Sequence, residues 1–228
     1  MSKGQRASRS VEVATPRLDD TLGASTLDAL CADRGEHEWT ELAIVGETSR
    51  AMPTGLTIDR CRFTNVRLTA AALLRARLSD IVFDSCELSA VDLSDAVLNR
   101  VSFTNCRMAA AQLTSARLRD VSFVACKLTD LNARMLDGAR LRWQDSSLTS
   151  ADFYGAKIDG ARWYDCDLTD ADMSQSRIAD VRLHGSMLTG LRGAKDLSGV
   201  VIDSDQIVPL ALSLFDAFGI TVTEERDA

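Results

Sequence analysis

The chain has 228 residues, 46% of them hydrophobic, 26% charged and only 5% aromatic, with a formal net charge of −7 and a pI near 4.9. This balance excludes a disordered chain of low hydrophobicity, and no apolar run approaches the roughly 18 residues that would cross a bilayer. The first thirty residues contain no apolar stretch of the secretory kind, so a cytoplasmic location is expected, with the six cysteines as thiols rather than a disulfide framework.

Residues 1–15 place Lys3, Arg6 and Arg9 among small polar residues and read as a mobile tail. Residues 16–57 read as an N-terminal cap segment. In it Leu18, Leu22, Leu27 and Leu30 suggest a short helix, broken at Gly23 and ended at Gly35. Trp39 to Val45 alternates like a strand, and Gly46 to Gly55, with Pro53, forms a loop or an imperfect first coil. The segment is expected to cover one end of the structure that follows, since an open sheet edge invites aggregation.

From 58 to 190 a large apolar residue recurs at every fifth position: Ile58, Phe63, Leu68, Leu73, Leu78, Phe83 and on to Leu188, interrupted only at Ala133 and Gly138. A smaller column lies two residues earlier, with Cys61, Val66, Ala71, Ala76, Ile81 and Cys86. It carries Leu131 and Leu136 at the two interruptions, restoring the lost volume. A step of five advances a helix by about 500°, so no helical face forms. In a straight strand an odd step reverses the face, so the chain must bend once per pentad. Phe63, Phe83, Phe103, Phe123, Trp143 and Trp163 recur at twenty, as do Cys86, Cys106, Cys126 and Cys166, which makes four sides per coil. The 27 pentads predict about 7 coils and a rod roughly 30 Å long.

Ala151-Asp152-Phe153, Ala171-Asp172-Met173 and Val91-Asp92-Leu93 resemble the A(D/N)LXX consensus of the pentapeptide repeat family. The resemblance implies an all-β fold, a right-handed quadrilateral parallel β-helix, with a mixed N-terminal cover and a C-terminal capping or dimerisation helix. Many members of that family have no known role, and a subset acts on DNA gyrase by resembling DNA.

Residues 191–228 form a glycine-rich loop, an amphipathic helix and an acidic tail. Ile207, Leu210, Ala211, Leu214, Phe215 and Phe218 share one helical face, Ser204 or Asp205 stands near the start, Pro209 is tolerable only in the first turn, and Gly219 stops the helix. The helix either caps the last coil or, as the resemblance implies, makes a homodimer interface through Phe215 and Phe218.

Charge tests the DNA-mimic reading. Residues 58–190 hold 17 acidic and 17 basic residues, so the excess lies outside the repeat. Arg60, Asp80, Arg100, Asp120 and Arg140 form an alternating row, expected to be a ladder of exposed pairs that each contribute little. Asp92, Asp95, Asp152 and Asp172 form a candidate acidic interaction face, to which Asp145, Asp165, Asp167 and Asp170 add in the later coils.

Direct nucleic-acid binding is not expected, because arginines alternate with aspartates and the aromatics point inward. No GxSxG, HExxH, P-loop or dinucleotide fingerprint occurs, no Cys/His spacing suits a metal, and His37 and His184 stand alone. The reading is a non-catalytic protein-interaction module without cofactor, with a gyrase-directed DNA mimic and a cytoplasmic scaffold as alternatives.

Overall fold

The structure is a computed structural model and describes residues 12–32, 37–49 and 52–221. The bend demanded by the period of five is a residue in the left-handed region at every fifth position from Arg60 to Asp180, with φ of 56° at Asp80, 56° at Ser85, 54° at Ala90 and 58° at Asp95. This conformation costs an L-residue about 1–2 kcal/mol, least for short polar side chains that bond locally, which accounts for the many Asp and Asn residues at the corners.

Corners are of two kinds. At one pair the turn is closed by a backbone bond, from the Ala71 amide to the Leu68 carbonyl (3.1 Å) and from Ala76 to Leu73 (3.0 Å), repeated on later coils. At the first corner of the other pair the ladder continues through the bend, so each full coil contains one long bent strand that ends before the second corner: β6 (Arg77–Asp84), β7 (Val97–Thr104), β8 (Arg117–Val124), β9 (Asp137–Gln144) and β10 (Lys157–Tyr164), followed by the shorter β11 (Arg177–Arg182). These strands pair in parallel at an offset of twenty, Leu78 with Leu98 and Phe83 with Phe103. The two turn-closed sides are joined by single parallel bridges, such as Glu87 with Arg107 and Asp92 with Gln112. The result is a right-handed, four-sided parallel β-helix.

Parallel pairing begins upstream of Ile58. β1 (Gly23–Ala24), β2 (Glu38–Thr40), β3 (Leu42–Val45), β4 (Thr57–Asp59) and β5 (Arg62–Thr64) extend the same ladders. Trp39 pairs with Ile58 and Ile44 with Phe63, an offset of nineteen. Residues 38–56 are therefore a coil with one residue deleted, and the rod has about eight coils rather than about seven. The sequence leaves 46–55 as either a loop or an imperfect first coil, because the shift of phase takes this coil out of the period-five series.

Both inward columns are buried. Phe63, Phe83, Phe103 and Phe123 stack with centroids 4.8 to 4.9 Å apart, and Trp143 and Trp163 continue the stack at 4.6 Å. Leu131 and Leu136 are buried beside Ala133 and Gly138. A Cβ on Gly138 would lie 2.5 Å from a Leu141 methyl, so the missing side chain leaves no void. Cys61, Cys86, Cys106, Cys126 and Cys166 are buried thiols, and burial pushes Cys61 and Cys166 up to about 11.

Helix α1 (Leu27–Ala32) closes the N-terminal end with Leu27 fully buried. It is shorter than the leucine spacing suggested: Leu18 and Leu22 precede it outside any helix or strand, and Gly35 falls outside the described residues. At the other end Gln206 is buried, donating from Nε2 to the Leu183 and Ser186 carbonyls and accepting the Asp203 amide at Oε1 (2.8 Å). Asp203, rather than Ser204 or Asp205, opens the helical segment. Helix α2 (Ile207–Ala217) carries Pro209 in its first turn and ends where Gly219 (φ 68°) lets Ile220 bond back to the Phe215 carbonyl (2.8 Å).

Candidate interaction faces

Neutral as a whole, the rod is polar across its width. Sorted by side, the two sides made by the bent strands carry twelve Arg and Lys against seven Asp and Glu between 58 and 190, and the two turn-closed sides carry five against ten. The twenty-residue period contains this segregation, but summing charge along the chain erases it.

The expected acidic face is only partly a unit. Asp92, Asp152 and Asp172 share one turn-closed side in the row Ala72, Asp92, Gln112, Asn132, Asp152, Asp172, Arg192. Asp152 and Asp172 are adjacent, whereas Asp92 lies three coils, about 14 Å, from Asp152. Each of the three carboxylates accepts the amide two residues on: Ser94 at 2.9 Å, Tyr154 at 2.9 Å and Ser174 at 2.8 Å. Asn132 makes the same bond to Arg134 at 3.3 Å. These acids shape their own turns. Asp152 also pairs with Arg134 (2.9 Å) and Asp172 with Arg192 (3.5 Å). Asp95 lies apart from them, exposed at a corner.

Unneutralised charge gathers elsewhere on the same two sides. Asp130, Asp145, Asp165 and Asp170 are exposed at left-handed corners of the later coils, and among the described residues none has an ion-pair partner within 4.0 Å. The Asp165 and Asp170 carboxylates lean over Gly185 and Gly190 on the next coil, where a Cβ would come within 2.2 Å of either oxygen. Beside them Asp167 is half-buried. Burial raises its carboxyl, but hydrogen bonds from Thr169 and Thr149 outweigh that and hold it below the usual range.

The charged row at the bent-strand corner differs from the expected ladder. Arg100 forks onto Asp80 (Nε to Oδ1, 2.7 Å) and Arg140 onto Asp120 (Nε to Oδ1, 2.7 Å), while Arg60 turns to Glu41 and Asp59. Nor are these pairs simply exposed. Asp80 is 6% and Asp120 7% exposed, and each accepts a further hydrogen bond from the N-terminal segment: the Arg17 amide on Asp80 (2.9 Å) and the Ala14 amide on Asp120 (3.2 Å). Residues 12–15, expected within a tail, thus lie along the rod.

Helix α2 rests against the turn at Ala194–Asp196, with Leu210 packed on the core. Of the candidate interface residues, Leu210 and Leu214 are half-buried, whereas Ile207 is 57%, Phe215 40% and Phe218 68% exposed. Val208 and Leu212 widen the apolar surface, so the helix covers the end of the rod and still presents an unpartnered face. His184 bonds Asp203 through Nδ1 (2.8 Å), a tie between the last coil and this segment. Among the described residues no cluster of three His, Cys, Asp or Glu side chains is placed to hold a metal, and no helix is long and apolar enough to cross a membrane.

Two family profiles match the sequence: pentapeptide repeat region over 56–133, and pentapeptide repeats (8 copies) over 146–185, together more than half of the chain. The protein belongs to the pentapeptide repeat family. A comparison with the curated proteins finds no match. Among solved structures, the chain is similar to a trypsin-treated form of QnrB1, a plasmid-mediated fluoroquinolone resistance protein, at 23% identity, TM-score 0.39, covering 82% of this chain and 99% of that one. HetL, a pentapeptide repeat protein involved in heterocyst differentiation regulation in the cyanobacterium Nostoc, is 19% identical with TM-score 0.33, covering 73% of this chain and 81% of its own. A pentapeptide repeat protein of the Arabidopsis thaliana thylakoid lumen is 17% identical with TM-score 0.22, covering 58% and 72%. These likenesses concern the fold.

Proposed function

We propose that the protein is a non-catalytic, cytoplasmic interaction module that presents the acidic sides of its later coils to a cationic surface of a protein partner. The observation that carries this is the group of exposed carboxylates at Asp130, Asp145, Asp165 and Asp170, which have no ion-pair partner among the described residues, on a rod that pairs many of its other acids. Like charges on neighbouring coils repel, so their retention on one side favours a role outside folding.

A second reading makes that surface the DNA-binding groove of a type II topoisomerase such as gyrase, and charge density favours it. Asp130, Asp145, Asp152, Asp165, Asp167, Asp170 and Asp172 lie on three coils, about 14 Å, or one carboxylate per about 2 Å. Duplex DNA carries one charge per about 1.7 Å of axis. On the turn-closed sides of these coils the only bases are Lys127 and Arg134, and Arg192 of the next coil pairs with Asp172.

The test is gyrase supercoiling with purified protein over a range of salt, with and without a quinolone, beside the triple variant Asp145→Asn, Asp165→Asn, Asp170→Asn. Salt-sensitive inhibition or drug protection that the variant loses supports the gyrase reading. Binding of basic proteins without any effect on gyrase leaves the module and moves the partner. Equal behaviour of both forms in every assay removes the acidic surface from the function and leaves a scaffold.

A further inference from the structure

The Asp80 and Asp120 row lies on the basic half of the rod, apart from the acidic surface, and it already holds a peptide. Successive coils are 4.8 to 4.9 Å apart, as the stacked phenylalanines show, so two coils separate Asp80 from Asp120 by about 9.7 Å. The amides they accept belong to Arg17 and Ala14, three residues apart. A β-strand would point amides three apart to opposite sides. A polyproline-II chain has three residues per turn and rises about 9.3 Å in that turn, bringing every third amide back to the same side. The segment carries Pro16, has no helix or strand of its own, and half-buries Val13 and Pro16 while Ala14, Thr15 and Arg17 are exposed, again a spacing of three. Proline stands where no amide donor is used.

The receiving side is built twice in the same form. Each aspartate stands at a left-handed corner, with φ of 56°, and is oriented by an arginine fork from the next coil. In both, Oδ1 accepts the arginine Nε and the segment's amide together. The match follows from two lengths, the polyproline-II pitch and twice the coil spacing.

We propose that the Asp80 and Asp120 row is a binding site for the main chain of a polyproline-II peptide, occupied in cis by residues 13–17, and that a proline-containing extended segment of a partner protein takes the same site when the N-terminal strap is displaced. Recognition rests on backbone amides at three-residue spacing, so the partner need share only an extended, proline-bearing backbone, not the strap's sequence.

Two experiments on the full chain test it. Amide exchange by NMR should show Ala14 and Arg17 protected at least 10-fold relative to Thr15, and Asp80→Gly with Asp120→Gly should abolish that protection. Glycine suits the corner conformation and already stands in this row as Gly160 (φ 70°), so the variant keeps the fold, which circular dichroism verifies. In the second, Ala14→Pro with Arg17→Pro keeps the polyproline-II geometry but removes both donors. A fluorescent peptide of residues 11–19 should bind this variant at least 10-fold more tightly than the unmodified protein, and should lose binding when Asp80→Gly and Asp120→Gly are added. Unprotected amides in the unmodified protein, or peptide binding indifferent to the two aspartates, would overturn the site. Protected amides without any peptide binding would overturn its use by a partner.

Discussion

Asn132 and Asp152 occupy the same place on successive coils and make the same turn-closing bond, one neutral and one charged. The charge is thus separable from the turn, and Asp92→Asn, Asp152→Asn and Asp172→Asn should each leave the melting temperature within a few degrees, a shift below about 1 kcal/mol. Gly138 makes the opposite point. The repeat pattern asks for leucine there, yet Leu136 and Leu141 already fill the space, so Gly138→Leu should destabilise by about 1–3 kcal/mol in denaturant titration. Asp80 and Asp120 contribute to the acid response. Burial raises the Asp80 carboxyl, but the Arg100 fork and the Arg17 amide together hold it below the ordinary range; Asp120 is lowered by Arg140 against its burial, with help from the Ala14 amide. A carboxyl lowered in the folded state contributes stability above its unfolded value, about 3.9, and loses it as pH falls through the folded one. Thermal melts from pH 6 to pH 2.5 should therefore fall more steeply for the unmodified protein than for Asp80→Gly with Asp120→Gly.

At the scale of elements, helix α2 is the piece whose position leaves it incomplete. Its half-buried residues Leu210 and Leu214 hold it to the rod, and Phe215 and Phe218 are left outward. A second copy of the same helix is the occupant proposed for that face. Sedimentation should give twice the 24.8 kDa chain mass for the unmodified protein and a single chain for Phe215→Glu with Phe218→Glu. The far-ultraviolet spectrum should not change, because neither side chain belongs to the rod's interior. A monomeric unmodified protein would reject the helix as a dimer contact.

On the scale of the whole molecule, a stacked solenoid derives its stability from neighbouring coils, so its ends should open before its middle. The coil at 38–56 is one residue short and pairs through the three-residue strand β2 and the four-residue β3, whereas the coils from β6 to β10 pair through eight-residue strands. Native-state hydrogen exchange should find the amides of β7 and β8 protected to the global unfolding free energy and those of β2 and β3 exchanging by local opening. Equal protection along the rod would mean that α1 and the strap brace the first coil as firmly as its neighbours brace an inner one.

Much of this was legible in the sequence because a solenoid turns position into a count: the four sides, the inward columns, the aromatic stack and the compensation at Leu131 and Leu136 all follow from periods of five and twenty. The same arithmetic held the charge segregation, which appears only when residues are sorted by side. The first coil was legible only as one of two alternatives, a loop or an imperfect coil, because a single deletion shifts the phase between Trp39 and Ile58. Three things were decided by tertiary structure alone, since each depends on what a side chain meets across many residues: the capture of Asp80 and Asp120 by amides 63 and 106 residues away, the duties of Asp92, Asp152 and Asp172 within their own turns, and the outward face that helix α2 keeps after docking. A repeating sequence specifies the spacing of its coils, but not which distant segment fits that spacing.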